Sequence, residues 1–256
     1  MLFDTHAHYD DTRFDEDRHQ IIAAAYESGV GYILNASSNI SSIVDSISLA
    51  QRYPYIFAAA GIHPHHAGEV NGNTLPALAD FASDSKVVAI GEIGLDYFYD
   101  FSPREVQKHW FARQISLARD LHLPVIVHNR EAHEDSLRII KSEKAKEVGG
   151  VFHCFSGSVE MARELLDHNF YISVGGAVTF KNARKLIEVV ASVPLDRLLI
   201  ETDCPYMTPE PFRGQRNDSS RVRLVAEKIA QIKGISFEEV AEATTKNAFD
   251  LFKIQP

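Results

Sequence analysis

His6 and His8, Glu92, His128, His153 and Asp203 each stand at the end of a short apolar segment: LFDTHAH, VVAIGEIGLD, PVIVHNR, GGVFHCFSG and RLLIETDCPY. Carboxylates and imidazoles are costly in buried strands unless something pairs with them. Five segments ending this way predict one site gathered from many strands. Nitrogen and oxygen donors in that combination point to metal-assisted hydrolysis. Residues two apart on a strand share a face, so both rings of the His-x-His pair meet one cation without bending the backbone. Four histidines and two carboxylates exceed what one ion needs while a water position stays open. Two ions sharing a carboxylate are the simpler arrangement. Spaced about 3.5–4 Å apart, they can hold a hydroxide and neutralise a substrate oxygen during displacement at phosphorus. Such a donor set fits zinc, manganese, magnesium or nickel.

The elements that must position these groups alternate with little interruption. Strands are predicted near 2–8, 30–36, 55–62, 87–92, 124–128, 149–153, 170–175 and 197–203, with amphipathic helices near 15–28, 39–52, 103–121, 132–146, 158–168 and 180–192. Two further helices fall within 219–252, divided by Gly234, the second capped by Ser236 with Glu239 three residues on. Polar residues end strands one, four, five, six and eight. An open doubly wound sheet would gather its site at one switch point. Only a closed barrel brings all these ends onto one face, the C-terminal face where barrel active sites lie. The expected fold is therefore α/β: a (β/α)8 TIM barrel over residues 1–256 as a single domain. By the same alternation Val88, Ile90 and Glu92 share a face, and Asp4 and Glu201 lie one layer beneath His6 and Asp203, where they would orient the imidazoles. Three irregular stretches, 62–73, 94–102 and 204–218, follow strands and should overhang the mouth.

Composition sets limits on partners. A net charge of −9 and 45% hydrophobic residues describe a chain with a large core and no general attraction to polyanions or anionic membrane. An anionic substrate would have to be drawn by bound ions or a few basic side chains. Cys154 and Cys204 follow His153 and Asp203, so alternation turns them away from the ligands, as buried thiols of a reducing compartment. The first residues run straight into a strand and no apolar run approaches membrane-spanning length, so a cytoplasmic protein without signal peptide is expected. No obligate protein partner is evident.

THAH, GIHPH, GEIGLD, VIVHNR, HCFSG and ETDCPY followed by PFRGQRN resemble the TatD-type metal-dependent deoxyribonucleases of the amidohydrolase-like barrel superfamily. The resemblance runs from residue 2 to about residue 250. It implies a β/α barrel with two or three metal ions and hydrolysis of nucleic acid, often as a 3′-to-5′ exonuclease on single-stranded DNA. It also implies that His6, His8 and Asp203 hold one ion with Glu92, which bridges to a second held by His128 and His153. Glu92 would replace the carbamylated lysine of other superfamily members. The family usually continues the Arg-Gly-x-Arg-Asn run with an acid and a proline; this chain has Asp218-Ser219-Ser220 instead.

The mechanism that follows is attack by a two-metal-activated hydroxide on a phosphodiester, with Glu92 and Asp203 catalytic and Asp203 accepting the proton. His63 is placed to contact a substrate phosphate or a third ion. His65 and His66 read as solvent-facing loop residues. Arg213 and Arg216 could fork onto a phosphate, and Tyr97 is the foremost candidate among Tyr97, Phe98 and Tyr99 for stacking on an unpaired base. The substrate expected is a single strand or a strand end. Two alternatives share the ligand set: an esterase such as a D-aminoacyl-tRNA deacylase, and a non-catalytic metal-binding scaffold.

Overall fold

The apolar segments form eight parallel strands, each paired with the next, and between them run helices that bury one face against the sheet. The computed structural model describes residues 1–255. Its strands are β1 (Leu2–Ala7), β2 (Val30–Ala36), β3 (Ile56–Ala60), β4 (Val87–Asp96), β5 (Val125–Arg130), β6 (Gly150–Phe152), β7 (Phe170–Val174) and β8 (Leu198–Ile200). The helices are α1 (Arg18–Glu27), α2 (Ile40–Arg52), α3 (Thr74–Phe81), α4 (Arg104–Leu121), α5 (His133–Ser142), α6 (Val159–Asp167), α7 (Arg184–Ser192), α8 (Val222–Lys233) and α9 (Phe237–Phe252). Sheet order follows chain order from β1 to β8. The last seam closes just past β8, where Ala7 bridges Cys204, Asp203 N–H donates to His6 O at 2.9 Å and His8 N–H donates to Cys204 O at 2.8 Å. The barrel expected from the strand ends is what the chain forms.

Two shells of apolar side chains hold it together. Phe3, Leu34, Val88, Ile126, Val151 and Leu199 fill the barrel interior, and Phe252 and Leu251 of α9 pack beneath them. The larger shell lies between strands and helices. The α9 capping box forms as expected, with Ser236 and Glu239 each bonding the other's backbone N–H. Gly234 ends α8 in the left-handed conformation at φ 67°.

Helix α3 was missed by the periodicity, because Pro76 and its short length hide the repeat; the segment 62–73 before it carries a 3-10 turn at Pro64–Glu69. Strand β4 is longer than expected. It runs through Gly94 to Asp96, so Glu92 sits inside the strand rather than at its end, and 94–96 are not loop. Gly94 permits this: its φ is 144°, and an added Cβ would lie 2.0 Å from His128 O. A Gly94→Ala change is expected to cost at least about 2 kcal/mol through strain and collision with β5, read as a lower urea midpoint at unchanged slope.

The strand ladders slip at four places, two of them beside the site. The β1–β2 ladder slips between Asp4 and Ala7, and the β4–β5 ladder between Ile90 and Ile93. Such bulges re-aim side chains near active sites. In the β3–β4 ladder Ala58 and Ala59 pair with Val87 and Ala89, and this slip sends Ile90 to the strand–helix shell while Val88 lies in the interior. Asp4 is likewise re-aimed. Its carboxylate accepts from Thr202 N at 2.8 Å, Thr202 Oγ1 at 2.6 Å and Ser219 Oγ at 2.6 Å. It clamps β1 to the chain after β8 and makes no hydrogen bond to an imidazole ring. Burial pushes its carboxyl up to about 7, against those hydrogen bonds. Asp4→Ala would strand three buried donors and is expected to destabilise the fold by about 3 kcal/mol; equilibrium urea unfolding with unchanged slope checks this.

Candidate metal centre

Glu92 is the hub. Its side chain lies 3% exposed at the floor of the C-terminal mouth, and its two oxygens face different sets of imidazoles. Oε2 is 3.2 Å from His6 Nε2 and 3.6 Å from His8 Nε2. Oε1 is 2.7 Å from His153 Nε2, 2.8 Å from His128 Nδ1 and 3.5 Å from His63 Nε2. Asp203 closes the first set, with Oδ1 at 3.4 Å from His8 Nε2 and 3.9 Å from His6 Nε2. Its φ of 56° turns the chain here, just past β8. All six expected ligand residues thus converge, together with His63.

The donors fit bound cations. His6 Nε2 and His8 Nε2 approach to 3.1 Å, and His128 Nδ1 and His153 Nε2 to 3.3 Å. His8 Nδ1 is 2.9 Å from Ala36 O, which fixes that nitrogen as a donor and turns Nε2 toward the site. Ring nitrogens this close are joined either by a shared proton or by a cation between them. His6 Nδ1 and His153 Nδ1 are buried without hydrogen-bond partners. Burial would favour neutral Glu92, but the charges of His153, His63 and His6 and the hydrogen bond with His128 hold its carboxyl well below the usual range. Burial opposes charge on His8, yet Asp203 and Glu92 push it up to about 9. Burial pushes His63 down to about 3 despite Glu92. Neutral His63, whose Nδ1 accepts from His65 N–H, carries its proton on Nε2 and so presents a donor to the site.

Several expected contacts are placed otherwise. Glu201 accepts from Ser173 Oγ at 2.6 Å and from the Cys154 backbone, and its Oε1 is 3.7 Å from His153 Nδ1. It lies beside the ring, as expected, though beyond hydrogen-bond distance. Cys154, in a turn at φ 43° rather than on β6, is not turned away: burial and the charges of Asp203, Glu201 and Glu92 push its thiol far up. Arg216 is committed elsewhere, gripping Asp17 through two hydrogen bonds at 2.9 and 2.6 Å, so its fork is not free for phosphate. Arg213 is exposed and lies 3.8 Å over the Phe180 ring. Tyr97 donates to Asp135 at 2.6 Å and is capped by Arg104, which removes it as the stacking platform. The exposed rings beside it are Phe98, Tyr99 and Phe101.

Asp96, His65 and Arg130 escaped the sequence reading. Asp96 Oδ2 is 3.0 Å from both His128 Nε2 and His65 Nε2, so His65 is no free loop residue. The GEIGLD segment carried the signal for Asp96, but Gly94 made it read as a loop.

A family model described as "TatD related DNase" matches residues 3–253. The chain belongs to this family. The "uncharacterized metal-dependent hydrolase YabD" of Bacillus subtilis is 49% identical over 254 residues, spanning 99% of this chain and 100% of that protein. The family also includes the "3′-5′ ssDNA/RNA exonuclease TatD" of Erwinia tasmaniensis, 35% identical across 99% of this chain and 100% of its own length. Among solved structures, the TatD homologue YJJV of Escherichia coli superposes with a TM-score of 0.93 at 33% identity, covering 99% of this chain and 98% of that one. No helix among the described residues is long and apolar enough to cross a membrane.

Proposed function

We propose that this protein is a metal-dependent hydrolase that removes nucleotides from the 3′ end of single-stranded nucleic acid. The observation that carries it is Glu92, whose two oxygens each face a separate imidazole cluster. His6, His8 and Asp203 would hold one divalent ion and His128 and His153 a second, with Glu92 shared. Divalent ions held there supply Lewis-acid activation of water and neutralise charge at a phosphoryl oxygen.

The chain's own residues supply the rest. Asp203 presents Oδ1 beside both rings of the first set and is placed to accept the proton of the attacking water. His63, held by its Nδ1 accepting from His65 N at 3.1 Å, directs its Nε2–H into the site to donate to a phosphate oxygen. Tyr206, 43% exposed with its ring centroid 6.3 Å from that of His8, lines the opposite side of the mouth. The net charge of −9 limits the footprint on a polyanion, which suits a strand end better than a duplex. The 3′-5′ single-strand exonuclease activity named for the Erwinia relative supports the same substrate and polarity.

The test is a single-stranded oligonucleotide labelled at its 3′ or its 5′ end, incubated with manganese, magnesium or zinc. Immediate release of the 3′ label, with the 5′-labelled strand shortening stepwise, is expected. Prompt release of the 5′ label would reverse the polarity. Deacylation of a D-aminoacyl-tRNA with no DNA shortening would move the same site to an ester substrate.

A further inference from the structure

The five residues after β4 join the mouth to the metal centre through one carboxylate. Asp96 Oδ1 accepts from Phe98 N at 3.0 Å and Tyr99 N at 2.9 Å, fixing the turn that follows. Its Oδ2 meets His128 and His65. The turn displays aromatic rings in the open: Phe101 is 68% exposed, Phe98 51% and Tyr99 48%. They are ordered against one another. Tyr99 and Phe101 stack at 5.3 Å between centroids, and His65 packs edge-on against both. The Arg130 guanidinium, at the end of β5, lies 4.1 Å over Phe98 and 5.2 Å over Tyr99. Among the described residues no carboxylate pairs with it.

Three rings left about half or more exposed to water would lose that unfavourable contact when a flat apolar partner covers them. An unpaired guanidinium beside them suits an anion attached to that partner. Unpaired nucleobases on a phosphate backbone combine both features, and base-on-ring stacking tolerates any sequence.

Building on the reading above, we propose that Phe98, Tyr99, Phe101 and Arg130 form a nucleobase-stacking subsite, and that Asp96 is a positioning residue coupling this subsite to His128. A base stacked on Tyr99 or Phe101 holds the turn; the turn's amides hold Asp96; Asp96 fixes the ring whose other nitrogen faces Glu92. Orientation of a ligating imidazole by a carboxylate on its far nitrogen is a strong lever on metal affinity.

Two affinities separate the parts: anisotropy of a fluorescein-labelled single-stranded dodecathymidylate with metal chelated, and manganese binding by calorimetry. Phe101→Leu and Tyr99→Leu keep apolar bulk and remove stacking. Each is expected to weaken the oligonucleotide about tenfold, with manganese affinity within about twofold of wild type. In Asp96→Asn the amide oxygen still caps the turn but cannot serve both imidazoles; manganese should weaken about tenfold or more, with the oligonucleotide nearly unaffected. Asp96→Ala should weaken both. Unchanged oligonucleotide affinity in the two leucine variants would overturn the subsite, and loss of manganese affinity alone in Asp96→Ala would overturn the coupling. Turnover of bis(p-nitrophenyl) phosphate by the wild type tests the chemistry separately. Absent turnover with the binding pattern intact would sink the hydrolytic reading and leave the subsite standing.

Discussion

Glu92→Ala is expected to lower phosphodiester hydrolysis by about a thousandfold or more. The carboxylate reaches both imidazole sets, with oxygens within 3.6 Å of five histidines. Removing it forfeits its shared position and leaves His6, His8, His128 and His153 to repel one another when charged. A centre that loses one ion loses several kcal/mol of charge stabilisation in the transition state, and each 1.36 kcal/mol is about tenfold in rate. The fold should survive, since Glu92 N–H still donates to Ser37 O at 2.9 Å through the backbone. Initial rates on a labelled oligonucleotide, with circular dichroism as the folding control, decide the matter. A loss below about tenfold would show that Glu92 is not the shared ligand.

Removing divalent ions is expected to lower thermal stability as well as to abolish turnover. The site holds buried ring nitrogens with no hydrogen-bond partner and others in mutual contact, so cations bind the folded form far better than the unfolded chain. At a free ion concentration of about 100 times Kd, binding adds about 2.7 kcal/mol. For a chain of this length that corresponds to a midpoint higher by about 5–10 °C. Scanning fluorimetry of chelated and manganese-loaded protein measures it. Coincident melting curves across that range would mean that the cluster binds no ion tightly.

The barrel and the convergence of six polar side chains at its mouth were legible because they rest on physics that acts within a few residues. Apolar runs of strand length marked each strand, and an expensive polar side chain marked its mouth-facing end. Helices α8 and α9 were legible through Gly234 and the Ser236–Glu239 box, which are local devices. What was not legible depends on long-range register. Asp4 seemed to underlie His6 because strict alternation put it there, and the slip in β1 turned it toward Thr202 and Ser219 instead. Asp96 was hidden because a glycine two residues earlier ended the strand on paper; in the fold Gly94 is what lets β4 approach His128 closely enough to continue. Arg216 and Tyr97 have the right chemistry for substrate, but Asp17 and Asp135 claim them, and neither pairing can be read from a spacing of 199 or 38 residues.

Hydrolysis of single-stranded nucleic acid at a two-ion centre shared through Glu92 is tested most directly by titrating chelator-stripped protein with manganese. Release of nucleotide from a 3′-labelled single strand is followed while bound ion is counted by equilibrium dialysis. No release is expected without ion, with activity rising to a plateau as the second equivalent per chain binds. In Glu92→Ala at most one tightly bound equivalent and negligible release are expected. Full activity in the stripped protein, or two ions bound and normal release in Glu92→Ala, would contradict a shared two-ion centre.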